Sequence, residues 1–132
     1  TGTGVAVPME GTDVAGPQGD LLSTRVIYFD YDSAQVKPEY VAVVNAHGRN
    51  LADNPNARIR LEGHADERGS REYNIALSEY RAVAVHNLMK FQGVREGQVE
   101  TVAFGEEKPI ELGHNETAWA RNRRVEIVYE AQ

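Results

Sequence analysis

The alternation of hydrophobic and polar residues predicts four short strands in this chain. Residues 26–29 are β-branched and aromatic, and the turn residues 30–33 end that run. Within residues 57–65 apolar and polar side chains alternate, which indicates a strand with one buried face. Residues 99–104 and 124–129 are rich in valine and aromatic residues and are predicted to form two further strands.

Helical periodicity fills the intervals between these strands. We predict helices over residues 38–53, 72–91 and 117–122. Pro38 suits the first position of the first helix, and Gly93 follows the end of the second. The order β-α-β-α-β-(short α)-β predicts a sheet whose crossover connections are right-handed and whose helices lie on one face. We expect the last strand to lie at an edge of that sheet.

The first twenty-odd residues have a different character. Residues 1–22 include Pro8, Pro17 and several glycines, and they show no sustained periodicity. That composition is typical of a flexible tether. We therefore divide the chain into a tether, residues 1–22, and a single domain, residues 23–132. Because the chain does not begin with Met, we expect it to be a processed or trimmed product.

Composition narrows the function classes. The formal net charge of -6 argues against nucleic acid as a partner, since nucleic-acid binders present a basic surface. The chain contains no cysteine, so it has neither disulfides nor a thiol nucleophile. Its apolar runs are far shorter than the 18 or so residues that a membrane-spanning helix needs.

An acidic residue, Asp66, and a basic residue, Arg81, form the most specific candidate binding site in the sequence. Asp66 lies in a glycine-bounded loop, and Arg81 lies on the next helix, within the apolar stripe that contains Leu77 and Val85. A guanidinium binds a carboxylate at two points, and a carboxylate binds an ammonium, so the pair can hold an amino-acid group. Asp30 ends the first predicted strand, so we expect it at the same rim if that strand and the strand before the Asp66 loop run parallel. The alternative, an internal Asp66–Arg81 ion pair without a ligand, stays open.

Other groups of polar residues give weaker evidence of a function. Asp30, Asp66 and Glu67 could serve a hydrolase, but paired carboxylates alone are weak evidence, and the chain has no Ser–His–Asp order. His64 and Asp66 lack the further ligands that a metal site needs, so we expect no metal and no cofactor. The basic run at residues 121–124 is more typical of a solvated face than of an anion site.

Several separated motifs, in order, resemble those of the OmpA-like peptidoglycan-binding domain. The resemblance covers about residues 26–129, and the Gly-His-Ala-Asp-Glu-Arg-Gly loop is most similar to the branch formed by peptidoglycan-associated lipoproteins (Pal). The segments that carry it are residues 29–32, 62–69, 73–78, 81–82, 105–109 and 122–125.

This resemblance implies a non-catalytic domain that binds the meso-diaminopimelate of the peptidoglycan stem peptide. Asp66 would face the ammonium group of that residue's side chain, and Arg81 its carboxylate. Leu77 would form an apolar wall. The remaining residues that the resemblance implies are two that line the pocket, Phe29 and Asp30, and two near its rim, Asn122 and Arg124.

The resemblance also implies a fold, partners and a location. The fold would be α+β, a two-layer sandwich with a mixed four-stranded sheet. The partners would be peptidoglycan and Tol-system proteins such as TolB and TolA, in a system for envelope integrity and cell division. The parent protein would lie on the periplasmic face of the outer membrane, anchored by an N-terminal lipid that this chain lacks. A module that mainly binds other periplasmic proteins is the alternative.

Overall fold

The elements of the structure follow the predicted order. A computed structural model describes residues 21–131, of which residues 21–23 form a helical turn. Most bounds lie within two residues of the prediction, because turn residues and prolines punctuate the sequence clearly. The elements are β1 (Val26–Tyr28), α1 (Pro38–Asp53), β2 (Arg58–Gly63), α2 (Arg71–Lys90), β3 (Val99–Ala103), α3 (Glu116–Asn122) and β4 (Arg124–Ala131).

The strands form one mixed sheet in the order β1-β4-β2-β3. β2 and β3 are parallel, whereas β4 is antiparallel to both β1 and β2. The expectation that the last strand lies at an edge is wrong: β4 inserts between β1 and β2 and hydrogen-bonds on both sides. Because β1 and β2 both oppose β4, they run parallel to each other, and their carboxyl ends meet at one rim.

The core lies between the sheet and the two long helices. Ile59 and Leu61 of β2 are fully buried, whereas Arg58 is exposed, as the predicted alternation requires. Val44 of α1 and Val85 of α2 are buried in the same hydrophobic cluster. The predicted two-layer α+β sandwich with a mixed sheet is therefore confirmed.

The predicted tether falls mostly outside the described residues, since residues 1–20 are not among them. Leu21, which the prediction assigned to the tether, is half-buried and packs against the core. The ring of His47 lies 2.8 Å from the carbonyl oxygen of Thr24 and 2.7 Å from the hydroxyl of Tyr129, so it ties this segment to β4. Over residues 21–131, no helix combines the length and apolar character needed to cross a membrane.

Candidate functional site

A small cavity opens at the rim where β1 and β2 end and α2 begins. Its volume is about 240 Å³, and it has both polar and apolar walls. It is the size of a side chain or a short peptide segment rather than of a large cofactor. Its lining residues are Tyr31, Asp32, Ala65, Asp66, Arg68, Gly69, Tyr73, Asn74, Leu77 and Arg81.

Backbone hydrogen bonds fix the loop that carries Asp66. The amide of His64 donates to the carbonyl of Arg124 at 2.8 Å, and the amide of Ala65 donates to that of Gly105 at 2.8 Å. Gly69 then takes a φ of 100°, a conformation that disfavours other residues. Ser70 ends the loop by capping α2, accepting a bond from the amide of Tyr73.

Arg81 joins three chain segments beneath the cavity. Its side chain is fully buried, and it donates to the carbonyl oxygens of Ser33 at 2.8 Å, His64 at 2.9 Å and Asp30 at 3.2 Å. Burial lowers the pKa of Arg81 to about 10, although the nearby Asp66 opposes that shift, so the guanidinium stays charged at neutral pH. These bonds use three of its five N–H groups.

Asp66 is also buried, but its partners are different. Arg68 donates to it three times: from the backbone amide at 2.9 Å, from Nε at 3.3 Å and from Nη2 at 2.9 Å. Nη1 of Arg123 lies 3.6 Å from the same carboxylate. Burial would raise the pKa of Asp66, but the bonds from Arg68 and the charge of Arg123 hold it below its ordinary value. Among the described residues, Asp66 and Arg81 form no ion pair with each other.

Two aromatic rings hold the Arg68 guanidinium. It lies 4.2 Å from the ring centroid of Tyr31 and 4.0 Å from that of Trp119. Trp119 in turn donates from its indole nitrogen to Glu67 at 2.9 Å. Sequence reasoning missed Arg68, Tyr31 and Trp119, and the one available signal was a basic residue close to Asp66 in the same loop.

The loop after β1 closes the opposite side of the cavity. Asp32 takes a φ of 52°, and the hydroxyl of Tyr73 on α2 donates to its carboxylate. Aspartate tolerates the left-handed conformation better than most residues, so the bend fits its sequence. The contact joins the turn after β1 to α2 at the cavity.

The structure brings three predicted residues together at the cavity: Asp66, Arg81 and Leu77. The side chains of Phe29 and Asp30 do not line it. Phe29 is buried in the core, and the carboxylate of Asp30 faces outward, 3.3 Å from Lys37. Asp30 contributes its carbonyl oxygen instead, as an acceptor for Arg81.

The two residues predicted near the rim are structural supports for neighbouring loops. Asn122 accepts bonds from the amides of Ile110 at 2.7 Å and Glu111 at 3.1 Å, and it lines an adjacent cavity. Arg124 is buried, donating to Glu126 at 2.6 Å and to the carbonyl of Lys108 at 3.1 Å. Over the described part of the chain, no cluster of three His, Cys, Asp or Glu side chains could hold a metal ion.

Comparison with known proteins gives consistent matches. The model of the OmpA family matches residues 28–123. A peptidoglycan-associated lipoprotein of Pseudomonas aeruginosa is 46% identical over 117 residues, covering 86% of this chain and 69% of that protein. One from Pseudomonas putida is 48% identical over 107 residues, and the chain spans 64% of its length. A crystal structure of the peptidoglycan-associated lipoprotein from Burkholderia pseudomallei superposes with a TM-score of 0.81 at 44% identity, covering 83% of this chain and 93% of that one.

Proposed function

This chain belongs to the OmpA family, and on that premise we propose that it binds the peptidoglycan stem peptide through meso-diaminopimelate. The family supports a peptidoglycan-associated role in the cell envelope. The predicted absence of catalysis is confirmed by the family, whose domains are non-enzymatic peptidoglycan-binding proteins. The choice of meso-diaminopimelate as the recognised residue comes from the family resemblance, and the acid and guanidinium at the cavity support it.

The observation that carries the proposal is that a buried acid and a buried guanidinium line the same small cavity. Asp66 and Arg81 are 5% and 0% exposed, so water screens their charges weakly. The far end of a diaminopimelate side chain carries both an ammonium and a carboxylate. Arg81 retains N–H groups beyond those bonded to carbonyls, and Leu77 offers an apolar wall for the methylene groups.

Attachment to the outer membrane and contact with Tol-system proteins such as TolB and TolA belong to the same proposal. Exposed apolar side chains beside the site support a protein partner there. The alternative function, a module that mainly binds other periplasmic proteins, would also require such a surface. Ile110 is 49% exposed and Leu112 is 79% exposed, and Leu112 lines the cavity next to the Asp66 loop. Exposed apolar side chains that lie close together are typical of protein-binding surfaces.

Calorimetry with two soluble stem peptides tests the ligand. We expect the peptide containing meso-diaminopimelate to bind at least about tenfold more tightly than the matching lysine peptide. The lysine side chain lacks the terminal carboxylate, so it leaves the remaining N–H groups of Arg81 without a partner. Asp66→Asn should weaken binding of the first peptide by about tenfold or more, since the ammonium loses its counter-charge.

Asp53→Asn is the matched control, because Asp53 is exposed at the far end of α1. It removes the same charge and should leave the affinity unchanged. Equal affinity of the wild-type domain for the two peptides would contradict recognition through diaminopimelate. Cleavage of muropeptides by the purified domain would contradict a binding role without catalysis.

A further inference from the structure

The Arg68 side chain is bound to Asp66, the acid of the cavity. Its Nε and Nη2 lie 3.3 and 2.9 Å from the two carboxylate oxygens of Asp66. That two-point contact is the strongest kind that a carboxylate makes with a side chain. A protein cation therefore lies on the acid that the proposed function assigns to a ligand cation.

Arg68 takes up most of the hydrogen-bonding capacity of the Asp66 carboxylate. One oxygen accepts from the Arg68 amide and Nε, and the other accepts from Nη2 and faces Arg123 at 3.6 Å. A carboxylate offers about four lone-pair positions; the hydrogen bonds from Arg68 use three of them, and Arg123 faces the same carboxylate. An ammonium placed beside this guanidinium would also meet like-charge repulsion in a site that water screens poorly.

Arg68 is held in a way that allows it to leave. Its side chain is 32% exposed, whereas that of Asp66 is 6% exposed. The rings of Tyr31 and Trp119 both lie against its guanidinium, yet they do not seal the side chain from solvent. Its backbone amide bonds to Asp66 independently of the side chain, so the loop turn can persist after the guanidinium swings out.

We propose that Arg68 is an internal competitor that occupies the ammonium position of the ligand site and must be displaced when a diamino acid binds. This rests on the proposed function and assigns a specificity-determining role to Arg68. A ligand that offers only a cation gains little, because it exchanges one cation on Asp66 for another. A ligand that also brings a carboxylate to Arg81 gains a second contact, which drives the exchange.

Removing the competitor should tighten binding. We expect Arg68→Gln to bind the soluble meso-diaminopimelate peptide at least about fivefold more tightly than wild type, since an unoccupied site needs no displacement step. Selectivity against the lysine peptide should fall in the same variant, because a lone ammonium then has free access to Asp66. Calorimetry of both peptides measures both effects.

Arg58→Gln is the charge-matched control. Arg58 is exposed and begins β2, at the opposite end of the strand from the Asp66 loop. It should leave the affinity unchanged, which separates displacement from a general effect of net charge. Arg68→Lys keeps the charge but loses the fork and should fall between wild type and Arg68→Gln.

Trp119 provides a second readout, because it is the only tryptophan in the chain and stacks on Arg68. Its emission spectrum should change when wild type is saturated with the peptide and change less in Arg68→Gln. A wild-type spectrum that is identical with and without bound peptide would overturn the displacement.

Equal or weaker binding by Arg68→Gln, with wild type still selective for diaminopimelate, overturns the role of Arg68 and leaves the proposed function intact. Tighter binding by Arg58→Gln to the same degree also overturns it. Absence of binding in wild type and in Arg68→Gln alike overturns the proposed function, and this inference with it.

Discussion

Three buried polar side chains near the site are treated in three different ways. Within the described residues Arg81 has no carboxylate partner, and it donates to three backbone carbonyls instead. Asp66 is paired with Arg68. His64 stacks on the ring of Phe104, and within the described residues neither of its ring nitrogens has a hydrogen-bond partner. Buried unpaired polar atoms destabilise a fold, so His64 is the residue whose replacement has the clearest expected sign.

The pH dependence of stability should report His64. Burial lowers its pKa to about 4, and the charges of Arg124 and Lys108 act in the same direction. Between pH 6.5 and about 4 the unfolded chain therefore binds a proton that folded His64 does not, and the free energy of unfolding falls as the pH falls. The loss from this group is on the order of 3 kcal/mol, complete near pH 4.

His64→Leu should remove that loss while keeping a similar volume. At pH 7 we expect the free energy of unfolding of the variant to equal or exceed that of wild type. The difference between the two free energies should grow in favour of the variant toward pH 4.5. Urea denaturation at both pH values measures it, and the other histidines are common to both proteins. Parallel pH profiles for the two proteins would refute the argument.

At the scale of elements, the close approach of α2 to β2 places Arg81 under the cavity. A Cβ atom on Gly63 would lie 2.0 Å from the carbonyl oxygen of Ser78, so the two backbones nearly touch there. The Ser78 hydroxyl accepts from the amide of Gly105 at 3.0 Å, which locks the same turn of α2 to the end of β3. One helical turn after Ser78 comes Arg81, and its reach to three carbonyls depends on this spacing.

Gly63→Ala should therefore destabilise the fold by about 3 kcal/mol, because a backbone shift must accommodate the methyl group. Thermal unfolding followed by circular dichroism measures the change. Gly113→Ala is the control: its new Cβ would meet a side-chain carbon of Ala118 at 3.3 Å, and its cost should stay below about 1 kcal/mol. A Gly63→Ala protein as stable as wild type would show that the two elements are not tightly packed.

At the scale of the whole molecule, the last strand joins the two halves of the sheet. β4 pairs with β1 on one side and with β2 on the other, so the sheet is complete only when the end of the chain is in place. The same arrangement sets the parallel direction of β1 and β2 and so creates the rim that holds the site.

Truncation after Asn122 should abolish cooperative unfolding, because it leaves β1 without its partner and exposes the edge of β2. Removal of residues 1–20 is the matched comparison. It should leave the melting temperature and the peptide affinity unchanged, since the composition of residues 1–20 is typical of a flexible tether. Scanning calorimetry of both truncated proteins measures the cooperativity and the melting temperature of unfolding. A cooperative transition in the first protein would contradict a central role for β4.

The sequence by itself determined the elements and the placing of the helices on one face of the sheet, and it singled out Asp66 and Arg81 as a candidate pair. These follow from local signals: the alternation around Ile59 and Leu61, Pro38 at a helix start, and a charged residue inside the apolar stripe of α2. The family resemblance added the ligand class.

Only the tertiary structure decided that β4 lies inside the sheet, that Phe29 faces the core, and that Asp66 is paired with Arg68 rather than with Arg81. Each depends on contacts between residues far apart in the chain or on the direction of a single side chain. Periodicity reports which face of an element is buried, but not which neighbour covers it. The rings of Tyr31 and Trp119, on loop and helix, meet around Arg68 only because the fold brings three segments to one rim.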